Sequence, residues 1–365
     1  MKTRQFWYPL PTRLIAQHPA ETRGTDRMMV LHRETGVIEH RHIGDIVEYL
    51  TDRDLLVVND TKVFPARLLG CWEDSPGAVE VLMVSPATDA DALDAEGGVT
   101  PEACCVTWSC LIGSGRPSRE GQVAVFGPNR ELAVELVQRL DGGMWRCTFR
   151  SARPLMELLD AFGHTPVPPY VHREGTPEEE AADRERYQTI YARATGSVAA
   201  PTAGLHFTPE IFAALDAKGV PRTAVTLHVG PGTFRPVKCE HIEDHHMDFE
   251  AYTVTQEAAD AIAACKARGG RVVCTGSTTV RTLETVAAAN GGKVVAAQGA
   301  SNIFIYPPYT FAVTDAMLTN FHLPQSTLLM MVSALAGRER ILCAYALAVR
   351  AEYRFFSYGD CMLIV

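Results

Sequence analysis

The pattern of apolar residues changes along this 365-residue chain, and that change limits the folds open to it. Residues 63–150 contain short alternating segments separated by turns rich in glycine, proline and asparagine. This spacing predicts a small antiparallel barrel or sandwich. The later sequence alternates strands with helices, which is typical of a layered α/β domain. We therefore predict an α/β domain at 1–62 and 153–365, interrupted by an inserted β-barrel domain at 63–152.

Individual elements follow from the same patterns. The predicted barrel strands are 63–70, 79–84, 103–112, 122–126, 131–137 and 144–150. The charged run at 176–186 predicts a solvated or mobile segment, and 302–306 predicts a strand. The acidic residues 89–101 predict a long exposed loop between strands.

Charge and cysteine content narrow the functional classes. The net charge of −9 and a pI of about 5.8 argue against a protein that coats nucleic acid, although a small basic patch can still bind one RNA feature. Ten cysteines without a C-x-x-C pair indicate reduced thiols and a cytoplasmic protein. Neither a signal-peptide core nor an apolar run of about 20 residues is present, so we expect no membrane span.

Residues 196–237 form the most distinctive stretch of the sequence. Two runs of small residues in it carry His206 and His228, the latter followed by Gly230 and Gly232. Glycine allows backbone to approach a ligand closely, and histidine titrates near neutral pH. The stretch therefore fits either a site that binds a small polar molecule or two tight turns in a packed core.

Two further segments place polar groups next to predicted helices. Ser277 and Thr278 lie between a strand and a helix, where backbone N–H groups favour an anion, although both are also ordinary N-cap residues. Arg281, one turn on, either holds a carboxylate or phosphate or pairs with Glu284. Asn320 and His322 lie on a polar loop before an apolar helix, so they are either site residues or part of that helix's cap.

The segment 241–250 is rich in histidine and acidic residues. His241 and His245 are four residues apart, as in some metal sites, but the carboxylate spacing matches no metal motif. Of the two interpretations, a metal site and a network that orients one imidazole, we favour the network.

The motifs together resemble one family. They are LPTRLIAQHPAETR, DLLVVNDTKVFPARLLG, PVPPYVHR, GSVAAPTAGLHFT, VTLHVGPGTFRPV, STTVRTLE, LTNFHLPQSTLLM and YRFFSYGDCMLI. In this order they resemble the S-adenosylmethionine:tRNA ribosyltransferase-isomerases of queuosine biosynthesis. The resemblance covers nearly the whole chain and implies a monomer with an α/β domain and an inserted β-barrel. The sequence departs from the family pattern at Lys62, where arginine is usual, and at Asp248, where histidine is frequent.

The resemblance also implies a reaction. S-adenosylmethionine is consumed as co-substrate, no further cofactor is expected, and its ribosyl part is transferred to 7-aminomethyl-7-deazaguanine at the tRNA wobble position. The ribosyl unit isomerises, which gives epoxyqueuosine and releases adenine and methionine. Two other functions remain open: a metal-dependent hydrolase using His241, His245 and Glu250, and a non-catalytic RNA-binding module.

The implied chemistry assigns roles to residues in the matched motifs. Because a sulfonium acidifies the adjacent carbon, a base is needed, and the candidates are His206, His228 and His322. The expected donor-binding residues are Asn59, Thr202, Phe207, Gly230, Gly232, Thr233, Ser277, Thr278, Arg281, Asn320, Tyr358 and Asp360. Among these, Phe207, Tyr358 and Asp360 are candidates for contact with the sulfonium. The expected tRNA-binding residues are Arg13, Arg23, Arg27, Lys62, Arg67 and Arg116.

Overall fold

The computed structural model describes residues 1–87, 104–234 and 237–365, and only the backbone of residues 233 and 234. The predicted loop at 89–101 lies outside the described residues. In chain order the strands are β1 (Arg27–Leu31), β2 (Ile38–His42), β3 (Leu55–Asn59), β4 (Thr61–Val63), β5 (Arg67–Trp72), β6 (Ala78–Pro86), β7 (Cys105–Ser114), β8 (Val123–Phe126), β9 (Leu132–Arg139), β10 (Met144–Ser151), β11 (Ala194–Ser197), β12 (Arg222–Leu227), β13 (Glu250–Val254), β14 (Val272–Thr275), β15 (Ala297–Ser301), β16 (Ala316–Asn320) and β17 (Cys361–Ile364). The helices are α1 (Ile46–Tyr49), α2 (Leu155–Phe162), α3 (Pro177–Arg186), α4 (Pro209–Ala217), α5 (Gln256–Ala267), α6 (Gly276–Ala289), α7 (Thr327–Ala336) and α8 (Arg338–Arg350).

A nine-stranded mixed sheet forms the centre of the α/β domain, in the order β15-β13-β12-β3-β14-β16-β17-β1-β2. Its middle strands β12, β3, β14 and β16 are parallel. Strands β3, β14 and β16 are buried at every residue, as expected when both faces of a sheet are covered. Leu55 and Val57 pack into a core that includes α5 to α8, whereas Leu56 and Val58 pack into a second core with α1 and α4. The sheet is therefore the middle of three layers.

Six antiparallel strands close into a barrel in the order β10-β7-β6-β5-β8-β9. Trp72, Trp108, Phe126 and Phe149 fill its interior, and α2 packs against the same core. Closure of the barrel leaves no free strand edge for aggregation. The predicted fold class, a layered α/β domain with an inserted antiparallel β-barrel, is confirmed.

One local prediction is incomplete and another is wrong. The charged run at 176–186 is largely exposed, as expected for a solvated segment, but it forms the helix α3, because Thr176 and Glu179 make a capping box and Pro177 occupies the first turn. The predicted strand at 302–306 has no regular structure, and the strand lies immediately before it as β15. There the sequence AQGAS pairs with β13, and this pairing is not visible in local apolar content.

The described residues show no covalent cross-link and no membrane helix. None of the ten cysteines, all of them in the described part of the chain, forms a disulfide. Among the helices described, none combines the length and apolar character needed to cross a bilayer.

Helix α6 is held to the segment before β16 by a buried carboxylate. Glu284 accepts hydrogen bonds from the backbone N–H groups of Ala312, Val313 and Thr314 at 2.9–3.1 Å. The Thr314 hydroxyl donates a further bond at 2.9 Å. Buried backbone amides need acceptors, and this one carboxylate accepts from the buried amides of Val313 and Thr314 as well as from the more exposed amide of Ala312.

We predict that Glu284→Ala lowers the free energy of unfolding by about 3 kcal/mol or more, because each buried donor left without an acceptor costs ~1–3 kcal/mol. Glu284→Gln should lose less, since its amide oxygen still accepts from this segment. Urea denaturation of the two variants and the wild type measures the difference. An unchanged midpoint for Glu284→Ala would contradict this role.

Candidate functional site

A small cavity of about 80 Å³ lies at the carboxyl ends of β14 and β16. We call it the strand-end cavity. In α/β sheets, ligands bind at this edge. Five residues proposed from the sequence line it, namely Thr202, Ser277, Thr278, Asn320 and His322. One wall carries the rings of Tyr170 and Phe356, whose centroids are 4.3 Å apart.

The start of α6 faces the strand-end cavity. Gly276 has φ +83°, a conformation that favours glycine, and the chain turns there from β14 directly into the helix. The N-cap is Thr275, whose side chain makes no cap hydrogen bond, so the alternative that Ser277 and Thr278 serve as N-caps is wrong. Within the described residues, the buried Thr278 hydroxyl has no hydrogen-bond partner. Free N–H groups and this hydroxyl make the helix start suitable for an anion.

His206 belongs to a buried hydrogen-bond network. Its Nδ1 lies 2.8 Å from Asp26 Oδ2, and its Nε2 lies 3.0 Å from Asn320 Nδ2. The Asn320 amide also donates to the Phe356 carbonyl at 3.2 Å, while its oxygen accepts from Thr202 at 2.9 Å. These partners assign the amide orientation and therefore the His206 tautomer, with the proton on Nδ1. Both ring nitrogens of His206 are thus engaged.

Asp26 is a member of this network that sequence reasoning missed. Burial alone would raise the pKa of Asp26, but the interaction with His206, which includes a hydrogen bond, and the charge of Arg354 lower it. The Arg354 guanidinium lies 3.1 Å from Asp26 Oδ1. Asp26 is 180 positions from His206 in the chain, so no local sequence pattern connects the two.

His322 is a neutral residue in the wall of the strand-end cavity. Its Nε2 lies 2.8 Å from the Thr319 hydroxyl, and its backbone N–H donates to Tyr345. Burial lowers the pKa of His322 to about 3. An imidazole with so low a pKa is a weak proton acceptor.

A larger space of about 580 Å³, the interface cavity, lies between the barrel and the α/β domain. His228, Gly230 and Glu250 line it from one side, and Met144 from the barrel side. His228 is half-buried, and its Nδ1 lies 2.8 Å from the Thr61 hydroxyl. Its ring lies against Gly196, where a side chain on residue 196 would collide with it. The Thr61 hydroxyl can donate or accept, so it does not fix the tautomer of His228.

The two cavities meet at one segment of chain. Val229 lines the strand-end cavity, whereas His228 and Gly230 on either side of it line the interface cavity. This segment follows the carboxyl end of β12. Two groups bound in the two cavities would therefore be separated by only this segment.

Arg281 and Glu250 form a buried ion pair beside the interface cavity, with side chains 2% and 5% exposed. Glu250 also accepts the Gly230 N–H at 3.0 Å. The alternative that Arg281 pairs with Glu284 is wrong, because Glu284 is used by 312–314. Arg281 lines an adjoining space of about 570 Å³, which has Asp248 and Glu250 in common with the interface cavity. Arg281 does not line the strand-end cavity, where Ser277 and Thr278 lie.

Two predicted donor-binding residues serve the fold. The Asn59 amide donates to the Leu227 carbonyl at 2.9 Å and accepts from its N–H at 3.0 Å. Phe207 is fully buried in the core that contains α4. Because Phe207 lines neither cavity, it is not placed to contact a sulfonium there.

The C-terminal candidates are also engaged within the chain. Asp360 accepts the backbone N–H groups of Arg27 and Arg354 at 3.0 and 2.8 Å. The Tyr358 hydroxyl donates to Asp183 at 3.1 Å. Neither residue lines the strand-end or interface cavity. Gly232 lines the space that holds Arg281, and the predicted Thr233 side chain lies outside the described residues.

Most of the basic residues predicted to bind tRNA have partners within the chain. The pairs and contacts are Arg13 with Glu352, Arg23 with the Gln188 carbonyl, Arg27 over the Tyr353 ring, Arg67 with Glu80, and Arg116 with Asp74. Lys62 is exposed and forms no ion pair with a described residue. It lies in β4, directly before the chain enters the barrel.

The described part of the chain contains no metal centre of the kind that the metal-dependent hydrolase alternative needs. Within those residues, no group of three or more His, Cys, Asp or Glu side chains is arranged to hold a metal ion. Glu250, one of the proposed ligands, is paired with Arg281.

We predict that His322 makes the protein less stable in mild acid. Because the folded pKa of about 3 lies below the ordinary 6.5, the unfolded chain takes up a proton that the folded chain does not as the pH falls between these values. The free energy of unfolding should therefore fall by up to about 1.4 kcal/mol per pH unit below about pH 6. Urea titrations of wild type and His322→Gln should show a shallower fall in the variant, and parallel curves would contradict the prediction.

Comparison with known proteins identifies the family. The family model described as queuosine biosynthesis protein matches residues 3–364. The S-adenosylmethionine:tRNA ribosyltransferase-isomerases of Caldanaerobacter subterraneus and Moorella thermoacetica are 46% and 47% identical to this chain, each over 100% of both chains. The crystal structure of S-adenosylmethionine tRNA ribosyltransferase from Thermotoga maritima is similar, with 34% identity and a TM-score of 0.52 over 99% of this chain and 100% of that one. The chain therefore belongs to the queuosine biosynthesis protein family.

Proposed function

We propose that this protein is an S-adenosylmethionine:tRNA ribosyltransferase-isomerase that forms epoxyqueuosine in tRNA. The similarity over the full chain supports this activity. The observation that carries it is the meeting of two unlike cavities at residues 228–230, because the reaction brings a small donor and an RNA base together. Since tRNA is the acceptor, a cytoplasmic location follows from the proposal.

The donor enters the strand-end cavity in this proposal. Its carboxylate binds at the start of α6, where Ser277 and Thr278 supply N–H groups and hydroxyls, an arrangement worth about 0.3–1 kcal/mol at exposed sites and more when partly buried. The leaving adenine lies against Asn320. The oxygen of Asn320 already accepts from Thr202 and has a second lone pair for an amino group.

His228 is the proposed general base. A sulfonium acidifies the adjacent carbon, and removal of a proton there begins the opening of the ribosyl ring. His206 lines neither cavity, and His322 has a pKa too low for the task. His228 is half-buried at the junction of the cavities, which favours it over both.

The acceptor tRNA approaches from the interface cavity. Enzymes that modify a base take it out of its stack, so the acceptor is an unpaired anticodon-loop nucleotide. Lys62 is the best-placed of the proposed tRNA contacts, because it is exposed and carries no ion pair with the described residues.

Adenine release tests the proposed activity directly. Purified protein mixed with S-adenosylmethionine and tRNA carrying 7-aminomethyl-7-deazaguanine should release adenine and methionine in amounts equal to the modified tRNA formed. Chromatography with mass detection measures both products. Absence of adenine with this tRNA would overturn the proposal, and tRNA with unmodified guanine is the control.

We predict that His228→Ala slows adenine release in a single turnover by about 10²–10⁴-fold, the usual loss when a general base is removed. Donor and tRNA dissociation constants should stay within about twofold, because the ring is proposed to act on a proton. His42→Ala is the matched control, since His42 is exposed on the edge strand β2. A single-turnover rate like that of the wild type in His228→Ala would refute the role.

A further inference from the structure

We propose that Phe249 is the surface on which the acceptor base stacks, and that acidic groups beside it recognise the aminomethyl group of that base. This inference rests on the proposed function and names the acceptor site within it. Phe249 is 69% exposed although it is a large apolar side chain. It lines the interface cavity together with His228. Among the exposed large apolar side chains of the described residues, Phe249 is the one that lines a cavity of this site.

The backbone that carries Phe249 is held firmly. Phe249 directly precedes β13, which pairs with both β12 and β15. The next residue, Glu250, is bonded to Arg281 and to the Gly230 N–H. The His228 N–H donates to the Ala251 carbonyl at 3.0 Å. A ring on so constrained a segment can stack with a base at little cost in backbone ordering.

The interface cavity is large enough for a base taken out of its stack. At about 580 Å³, it lies within the range of sites that accept a whole small ligand. Stacking on an aromatic ring is the common way in which proteins hold an unpaired base.

The charge around Phe249 fits a cationic base. Asp248 and Glu250 flank it in sequence, and all three line the interface cavity. Asp141 lines the same cavity from the barrel side. A primary amine such as the aminomethyl group is largely protonated at neutral pH, as a lysine is. The charge of Glu250 is balanced by Arg281, so Asp141 and Asp248 are the carboxylates that attract the amine. The same two carboxylates repel phosphate, which favours a base in this space over the RNA backbone.

Four variants test the stacking role. Phe249→Ala should weaken binding of tRNA carrying 7-aminomethyl-7-deazaguanine by about 10–100-fold, as expected for loss of base stacking. Phe249→Trp should bind within about threefold of the wild type, and Phe249→Leu should resemble Phe249→Ala, because leucine is apolar but has no ring. Trp7→Ala is the control, since Trp7 is 58% exposed but lines neither cavity. Filter binding measures tRNA affinity, and calorimetry measures S-adenosylmethionine affinity.

The outcomes separate this inference from the proposed function. Wild-type tRNA affinity in Phe249→Ala, wild-type affinity in Phe249→Leu, or loss of donor affinity in Phe249→Ala would each overturn the stacking role. If the wild type releases no adenine, the proposed function fails, whereas the tRNA-binding result stands by itself. Failure of the stacking role with normal adenine release would leave the proposed function intact.

A second measurement tests the acidic groups. Wild-type protein should bind the aminomethyl-modified tRNA more tightly than the same tRNA with guanine. Asp248→Asn should reduce that ratio by about 3–10-fold, because the variant loses a charge that attracts the amine and that repels the RNA backbone of both tRNAs. An unchanged ratio would overturn the recognition of the amine by this carboxylate.

Discussion

Two charged side chains on α6 position both cavities of the site. Glu284 binds the segment that leads into β16, and Arg281 binds Glu250 at the start of β13. The same helix begins in the wall of the strand-end cavity, so its placement also sets the distance from that cavity to the interface cavity. A buried ion pair adds little net stability compared with apolar packing, and its value here is positional. Loss of either anchor would shift one wall of the site relative to the other.

The two histidines of the central stretch have different surroundings because the chain brings different partners to each. His206 is placed between Asp26 and Asn320, which come from distant parts of the sequence. In this position it orients an amide, and its own proton is committed to a carboxylate. His228 follows β12 into the space between the domains, next to a glycine that leaves room for its ring. The residues that flank them in the sequence do not distinguish His206 from His228 as the base for one proton transfer.

The fold class was predictable because apolar periodicity and turn residues act over short distances. Ser277 and Asn320, which line the strand-end cavity, were predictable from the polar residues that the sequence places at or just before the start of a predicted helix. Asp26 could not be found this way, because its role depends on a contact formed only in the folded chain. In the sequence, Phe249 is one residue of a segment rich in histidine and acidic residues, and its proposed role follows only from its exposure beside a cavity. Helix α3 was missed because its charged residues obscured a strong cap.

The acidity of the protein and its proposed RNA substrate are compatible once the source of specificity is considered. Most of the arginines that suggested phosphate contacts are occupied by carboxylates or carbonyls of the same chain. These arginines are therefore less available to the RNA backbone, and the affinity that they add through phosphates should be modest. Discrimination then depends on the base, which carries a positive group that unmodified nucleotides lack. Carboxylates around Phe249 weaken the binding of ordinary RNA, whose negative backbone they repel, and favour the one nucleotide that brings its own cation.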